Sequence, residues 1–201
     1  MSDLFIQFVT GWVLPKKADY SRQVALNAPK AALPVLGQAG SDGRVSMQTI
    51  EKVNQQCARL RYVADPLWGL VDFYNHPEYT QWQLVNNRWD QPCDCDDLAV
   101  YAHALFLKTG IRSDKVWIWN ILVSPGYQIS QAWANHVMCA VEYWDGSKIW
   151  TAIIDTNSAA NGKAFFFYGD RFDAQMPVIQ HFKQLYGVQY YALVKVDPPW
   201  Q

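Results

Sequence analysis

The feature that most constrains this chain is an apolar segment with an acidic start. Residues 95–109 carry Leu, Ala, Val, Tyr and Phe around most of a helical circumference, and Gly110 follows as a helix stop. Cys95 opens the segment, directly after Asp94 and before two further aspartates. A helix that is apolar on nearly every side has to be covered on every side. The pattern therefore predicts a central, buried helix with a cysteine at its N-terminus.

The sequence changes character on either side of this helix. Apolar residues spaced by three and four predict a helix over residues 46–63, whereas residues 65–89 mix aromatic residues with turn formers and predict no long element. After Gly110, segments rich in β-branched and aromatic residues predict strands at residues 116–123, 134–144, 149–156, 164–168 and 189–196. Helices followed by neighbouring strands predict an α+β domain whose antiparallel sheet packs on the central helix.

Length and charge exclude several classes of protein. The chain has 201 residues, of which 50% are hydrophobic, enough for a single globular unit. A net charge of −1 without a basic stripe argues against nucleic acid as a partner. The apolar stretch at residues 4–14 is too short to span a membrane and lacks the charge pattern of a secretory signal. We therefore expect a cytoplasmic protein without a membrane anchor.

Composition also divides the chain. Residues 24–44 are rich in Ala, Pro and Gly and show little apolar periodicity. We expect residues 1–44 to form an N-terminal extension and irregular connector, and residues 45–201 to form the globular domain that contains the central helix.

Cys95 has the surroundings of a nucleophile. Backbone N–H groups at a helix N-terminus stabilise an anion and so favour the thiolate form of a cysteine. A thiolate that attacks a carboxamide needs a histidine to pass its proton to the leaving amine. Of the four histidines, His76, His103, His136 and His181, His136 alone lies in a strongly patterned strand. The backbone N–H of Cys95 is also a natural donor to the oxyanion.

The turn after His136 indicates a partner for its imidazole. The Asp-Gly pair at residues 145–146 is typical of a two-residue type I′ hairpin, in which Trp144 faces Ser147. In that register Asp155 directly faces His136, with Cβ atoms about 5 Å apart. Cys95, His136 and Asp155 then form a candidate triad in which Asp155 orients the imidazole.

Two other turns are compatible with the sequence. A four-residue loop, with Trp144 opposite Ile149, would move Asp155 opposite Met138 but keep it on the face that carries His136. A three-residue or bulged loop would place the two side chains on different faces.

The chain carries three short motifs: Cys-Asp-Asp at residues 95–97, Asn-His-Val at residues 135–137 and Ile-Asp-Thr at residues 154–156. Together they resemble the transglutaminase-like superfamily of cysteine enzymes, and residues 65–74, 77–78 and 94–101 are similar to the bacterial transglutaminase-like cysteine proteinases. The resemblance covers roughly residues 46–156. It implies a papain-like, transglutaminase-type domain with the nucleophile at the N-terminus of the central helix. The chain departs from the family at Cys93, where glycine is usual.

The resemblance also implies a metal. In some relatives the acidic residues beside the nucleophile bind calcium, and Asp94, Asp96 and Asp97 match those positions. Carboxylates are the hard oxygen ligands that Ca²⁺ prefers. The alternative is that these residues cap the helix and interact with its dipole. We expect that no cofactor is required.

These observations predict a cysteine enzyme that cleaves amide bonds of protein or peptide substrates through a thioester, a peptidase or amidase. A protein transamidase shares that intermediate and is an alternative. So is a non-catalytic binding or structural protein that keeps the fold. A zinc module of Cys93, Cys95, His136 and Cys139 has suitable ligand types, but His136 and Cys139 point to opposite faces of a strand.

Overall fold

The computed structural model describes residues 32–63, 75–89, 93–123, 136–171, 173–186 and 191–197. The α-helices in these ranges are α1 Met47–Cys57, α2 Pro77–Asn86, α3 Cys95–Lys108, α4 Thr156–Asn161 and α5 Gln175–Tyr186. The strands are β1 Val116–Val123, β2 His136–Trp144, β3 Ile149–Ile154, β4 Phe165–Tyr168 and β5 Tyr191–Asp197.

The strands form one sheet in the order β4-β3-β2-β1-β5, and each neighbouring pair is antiparallel. Alternate residues of β2 point to opposite faces. Val137, Cys139 and Val141 belong to a core cluster shared with α1 and α3. Met138 and Ala140 belong to a second cluster shared with α5. The predicted α+β class, an antiparallel sheet packed on a buried helix, is confirmed.

The central helix α3 matches its prediction to within one residue at its C-terminus. Its side chains at Ala99, Tyr101, Ala102, Leu105 and Phe106 are 0% exposed. The helix packs on β1, β2, α1 and α2. A helix that is apolar on nearly every side is stable only when other elements bury all of those sides. Apolar residues around its whole circumference were therefore a strong indication of a central helix.

Helix α1 is shorter than the predicted 46–63. Ser46 Oγ accepts the backbone N–H of Thr49 at 3.2 Å and caps the N-terminus. The helix ends at Cys57, where tight turns replace helical hydrogen bonds, as in the 3.0 Å bond from Leu60 N–H to the Cys57 carbonyl. Val63 then forms a bridge with Cys93, which brings the end of this segment to the start of α3.

The prediction of no long element over residues 65–89 is wrong for α2. Pro77 occupies the first turn, and Asn87 adopts a left-handed conformation with φ 49° at the C-terminus. Both are ordinary helix-boundary signals that also occur in turns. The sequence did not indicate that these two residues bound a single ten-residue helix, because the apolar residues of this helix have little periodicity.

Helices α4 and α5 were also missed. The predicted strand 149–156 ends at Ile154 because Asp155 starts α4 as its N-cap. Within the described residues, the other strands agree with their predictions to within one residue at each end.

Residues 32–44 contain no helix or strand, and Leu33, Leu36 and Ala39 pack against the α1–α3 side of the core. Residues 1–31, and the part of the family resemblance at residues 65–74, lie outside the described residues. The boundary at residue 44 therefore stays a prediction. In the described part of the chain, no helix combines the length and apolar character needed to cross a membrane.

Candidate active site

Cys95 is the first residue of α3 and is half-buried. Asp94 is the N-cap: its Oδ1 accepts the Asp96 backbone N–H at 3.3 Å, while Asp97 Oδ2 accepts the Asp94 N–H at 3.4 Å. This reciprocal arrangement is a capping box. Cys95 thus lies where the predicted helix start placed it, at the positive end of the helix dipole.

Asp97 also fixes a neighbouring segment. Its two carboxylate oxygens accept hydrogen bonds from Asn75, one from the backbone N–H at 2.6 Å and one from Nδ2 at 3.0 Å. Asp97 is 1% exposed and Asn75 is 6% exposed. The start of α3 is therefore tied to the residues that lead into α2.

The other three cysteines are in a different environment. Cys57, Cys93 and Cys139 are buried, and burial raises the pKa of each thiol. For Cys93 the nearby Asp97 and Asp94 carboxylates raise the pKa further. At neutral pH these three side chains are therefore protonated thiols.

His136 and Asp155 form a buried pair. Nε2 of His136 lies 3.2 Å from Oδ2 of Asp155, and their side chains are 9% and 0% exposed. A carboxylate in such a position needs partners, because its burial without them is costly. The 3.2 Å distance shows that the predicted partners His136 and Asp155 are in contact in the structure.

The sequence allowed two registers of β2 and β3 that keep His136 and Asp155 on one face. The structure has the second of them, the one with a four-residue loop. Trp144 pairs with Ile149, and the ladder ends at Cys139 opposite Ile154. The predicted two-residue turn is wrong because Asp145 closes a longer loop. Asp145 Oδ1 accepts the backbone N–H groups of Ser147 and Lys148, each at 2.8 Å. Asp155 therefore reaches His136 diagonally, beyond the last paired residues.

Asp155 is held by residues that the sequence analysis missed. Its Oδ1 accepts the Ser158 backbone N–H at 2.7 Å, and Ser158 Oγ accepts the Asp155 N–H at 2.8 Å. Ser158 Oγ lies 2.7 Å from Asn54 Oδ1, and Asn54 Nδ2 donates to the Ser158 carbonyl at 3.1 Å. All three residues are 0% exposed. The sequence signal available was Asp-x-x-Ser at residues 155–158, which is typical of a helix N-terminus.

His136 and Cys95 approach the sheet from different sides. The His136 ring lies 6.1 Å from the Phe182 ring of α5, and His136 has the same strand parity as Met138 in the α5 cluster. Cys95 packs against the cluster on the α3 face. Since His136 is the first residue of β2, a contact between the thiol and the imidazole has to form around the end of that strand. That contact stays a prediction.

The remaining histidines have other surroundings. His103 is 3% exposed within α3, and burial lowers its pKa to about 4. His76 pairs with Glu78 at the start of α2. His181 packs on the rings of Phe165, 4.5 Å away, and of other aromatic residues, and burial lowers its pKa against the influence of the Asp155 carboxylate. None of these three contacts Asp155 as His136 does in the described hydrogen bonds.

The acidic residues at the helix start also resemble a cation site. Asp94, Asp96 and Asp97 each offer a carboxylate oxygen within 4.8 Å of the others. Two calcium ligands at 2.3–2.6 Å on opposite sides of the ion are up to about 5 Å apart, so the spacing fits Ca²⁺. In the described part of the chain this is the one such group of His, Cys, Asp or Glu. Cys93, Cys95, His136 and Cys139 do not form one.

No family model and no curated protein matches this sequence. Solved structures of Legionella pneumophila LapG are similar to it. One is 21% identical, with a TM-score of 0.38, over 58% of this chain and 55% of LapG. The calcium-bound form is 16% identical, with a TM-score of 0.40, over 74% of this chain and 75% of LapG. The EGTA-treated form is 16% identical, with a TM-score of 0.39, over 78% of this chain and 76% of LapG. This chain thus spans about half the length of the first of these structures, and likeness at this level assigns neither an activity nor a ligand.

Proposed function

We propose that this protein is a cysteine-nucleophile enzyme that hydrolyses amide bonds of protein or peptide substrates. The observation that carries the proposal is the buried 3.2 Å contact between His136 Nε2 and Asp155 Oδ2. An imidazole held by a carboxylate in this way has one nitrogen fixed as a donor and the other available for proton exchange. The half-buried Cys95, at the N-terminus of the helix that packs on the same strand, is the proposed nucleophile.

The first step is acylation. The Cys95 sulfur attacks the carboxamide carbon and forms the C–S bond, and the charge that develops on the carbonyl oxygen is stabilised by the Cys95 backbone N–H. His136, having taken the thiol proton on Nδ1, donates it to the amide nitrogen as the C–N bond breaks. The amine leaves and a thioester remains on Cys95.

The second step is deacylation. His136 takes a proton from water, the resulting hydroxyl oxygen bonds to the thioester carbon, and the C–S bond breaks to release a carboxylic acid and restore the thiolate. Asp155 stabilises the protonated imidazole in both steps and keeps the ring oriented. Asp155 is suited to this role because Ser158 and Asn54 hold it in one position.

Calcium is a further part of the proposal. Asp94, Asp96 and Asp97 would hold the ion, which would neutralise their mutual repulsion and fix the start of α3. Support comes from the ligand type and spacing of the three carboxylates. Their contacts also serve as helix caps, so the hydrolytic steps are assigned to the triad alone.

The direct test compares native protein with Cys95→Ala. The substitution removes the nucleophile but little volume, so it should abolish acyl-enzyme formation with a reactive ester while leaving the melting temperature nearly unchanged. Acyl-enzyme is detected by intact mass spectrometry after acid quenching. Acylation that persists in Cys95→Ala would exclude Cys95 as the nucleophile. Unacylated native protein with a normal melting temperature would instead favour the non-catalytic alternative.

A second measurement separates hydrolysis from amine transfer. The acyl-enzyme of native protein is allowed to react in water with and without a primary amine at millimolar concentration. Hydrolysis predicts carboxylic acid as the main product in both. Predominant amide product would favour the transamidase, which shares the thioester.

A further inference from the structure

A cavity of about 150 Å³ lies beside the N-terminus of α3. Its walls come from the C-terminal end of α1, the residues around the start of α3, and α4. The residues that line it include Cys57, Leu60, Cys93, Asp94, Leu98 and Ala159. None of the three proposed triad residues lines it.

The size of the cavity limits its occupant. Pockets that hold a whole drug-sized ligand measure about 300–1,000 Å³. A cavity of about 150 Å³ lined by apolar groups holds a molecule as large as benzene. This cavity therefore fits one side chain of a substrate, up to the size of leucine or phenylalanine, and not a complete small molecule.

The lining favours an apolar side chain. Leu98 and Ala159 are 5% and 7% exposed and belong to the main core cluster. Cys57 contributes a thiol whose pKa is raised by burial, so it is uncharged at neutral pH, and the side chain of Cys93 is 2% exposed. A charged side chain would lose its hydration against these groups, and an acidic one would also be repelled by Asp94 at the cavity wall.

The position of the cavity relates it to the reacting carbonyl. Leu98 lines the cavity and follows Cys95 by three residues, which places its side chain on the same side of α3 as the thiol. Asp94, at the cavity wall, immediately precedes Cys95 in the sequence. Thr156 immediately follows Asp155. Cys95 packs against the same core cluster that supplies Cys57, Leu98 and Ala159.

We propose that this cavity binds the apolar side chain of the substrate residue whose carbonyl carbon Cys95 attacks. The inference rests on the function proposed above. It makes the substrates peptides with leucine, methionine or phenylalanine at the cleaved bond.

The test uses chloromethyl ketones of N-acetylated phenylalanine, leucine, lysine and glutamate. The Cys95 sulfur displaces chloride from the methylene carbon, so a C–S bond forms, the C–Cl bond breaks and chloride leaves. The rate is followed by intact mass, and peptide mapping locates the adduct. The phenylalanine and leucine reagents should modify Cys95 at least about tenfold faster than the lysine and glutamate reagents, because burial of their side chains favours binding.

Two substitutions narrow the cavity. Ala160→Phe changes an exposed rim residue of α4, so its effect on folding should be small, and Ala159→Leu fills the interior. In each, the rate with the phenylalanine reagent divided by the rate with iodoacetamide, which carries no side chain, should fall about tenfold. Val85→Phe, at a 63% exposed position of α2, is the matched control and should leave this ratio unchanged.

The outcomes distinguish failure of the proposed side-chain cavity from failure of the proposed Cys95 nucleophile. If Cys95 reacts equally fast with all four reagents, or both cavity variants keep the native ratio, the cavity does not select the side chain, although Cys95 remains the nucleophile. If no reagent modifies Cys95, or the adduct forms in Cys95→Ala as fast as in native protein, the proposed function fails and the substrate inference fails with it.

Discussion

Asp155 Oδ2 lies 3.2 Å from His136 Nε2, although the pairing of β2 with β3 ends before either residue. Strand pairing alone therefore does not determine their contact. Asp155 is fixed as the N-cap of α4, through its bonds with Ser158, and from that position it reaches the first residue of β2. The Asp155 carboxylate caps α4 and, in the function proposed above, also orients the His136 imidazole; substitutions can separate these two roles.

Asp155→Asn should preserve the N-cap of α4 but remove the negative charge beside His136. Asparagine accepts the Ser158 N–H about as well as aspartate, so the melting temperature should fall little. Without the negative charge the protonated His136 is no longer stabilised, and kcat should drop about 10³-fold or more. Steady-state kinetics and thermal melting on the same preparations measure the two effects. A kcat within threefold of native would contradict the role of Asp155.

Asn54→Ala should impair catalysis through Ser158 and Asp155. The change leaves buried Ser158 groups without their partner, which should lower the free energy of unfolding by about 1–3 kcal/mol. We expect kcat to fall about tenfold with KM nearly unchanged, because Asn54 acts on the orientation of Asp155 and not on substrate binding.

The matched control for Asn54 is Thr151→Val. It removes another fully buried hydrogen bond, from Thr151 Oγ1 to the Gly169 carbonyl at 3.0 Å. Its stability loss should be similar and its kcat near native. Equal losses of kcat in both variants would mean that Asn54 contributes to stability alone.

Cys95 should be the first thiol to react with iodoacetamide. Cys57, Cys93 and Cys139 are buried with raised pKa values and stay protonated, whereas Cys95 is half-buried at a helix N-terminus. At pH 6–7 the folded protein should gain one label, and peptide mapping should place it at Cys95. Labels spread equally over Cys95 and Cys93 would contradict an activated nucleophile.

The stability of the fold should decline in acid through His103. Its pKa is about 4 in the folded chain because of burial, against an ordinary value of 6.5. The unfolded state therefore binds a proton that the folded state resists. The unprotonated His103 therefore contributes fully to the free energy of unfolding above pH 6.5. As the pH falls from 6.5 towards 4, that free energy decreases by up to about 3 kcal/mol. His103→Gln should flatten the fall in unfolding free energy between those pH values. An equally steep profile would assign the acid sensitivity to other groups.

Calcium should raise the melting temperature if Asp94, Asp96 and Asp97 bind it. Millimolar Ca²⁺ should stabilise the native protein by several degrees, EGTA should reverse the shift, and Mg²⁺ should have less effect because it requires a tighter octahedral site. Asp96→Asn should reduce the shift, whereas Asp173→Asn, at an exposed residue elsewhere, should not. An unchanged melting temperature in Ca²⁺ would leave the three carboxylates as helix caps.

The sequence by itself determined the parts of this protein that depend on local pattern. The all-apolar run after Cys95 could only be a covered helix, and the acidic residues around Cys95 fixed where it starts. Alternation of strand residues was enough to put His136 and Asp155 on one face, because a shift of register by two residues leaves every side chain on the same side.

Only the tertiary structure decided how Asp155 reaches His136. The Asp-Gly pair favours a two-residue turn, but the Asp145 side chain binds backbone N–H groups further along and closes a four-residue loop. Asn54 lies 104 residues before Ser158 in sequence, so no local pattern could relate them. The cavity wall likewise combines α1, α3 and α4. Such contacts depend on which buried polar groups meet once the sheet and helices have packed, and packing is a property of the whole chain.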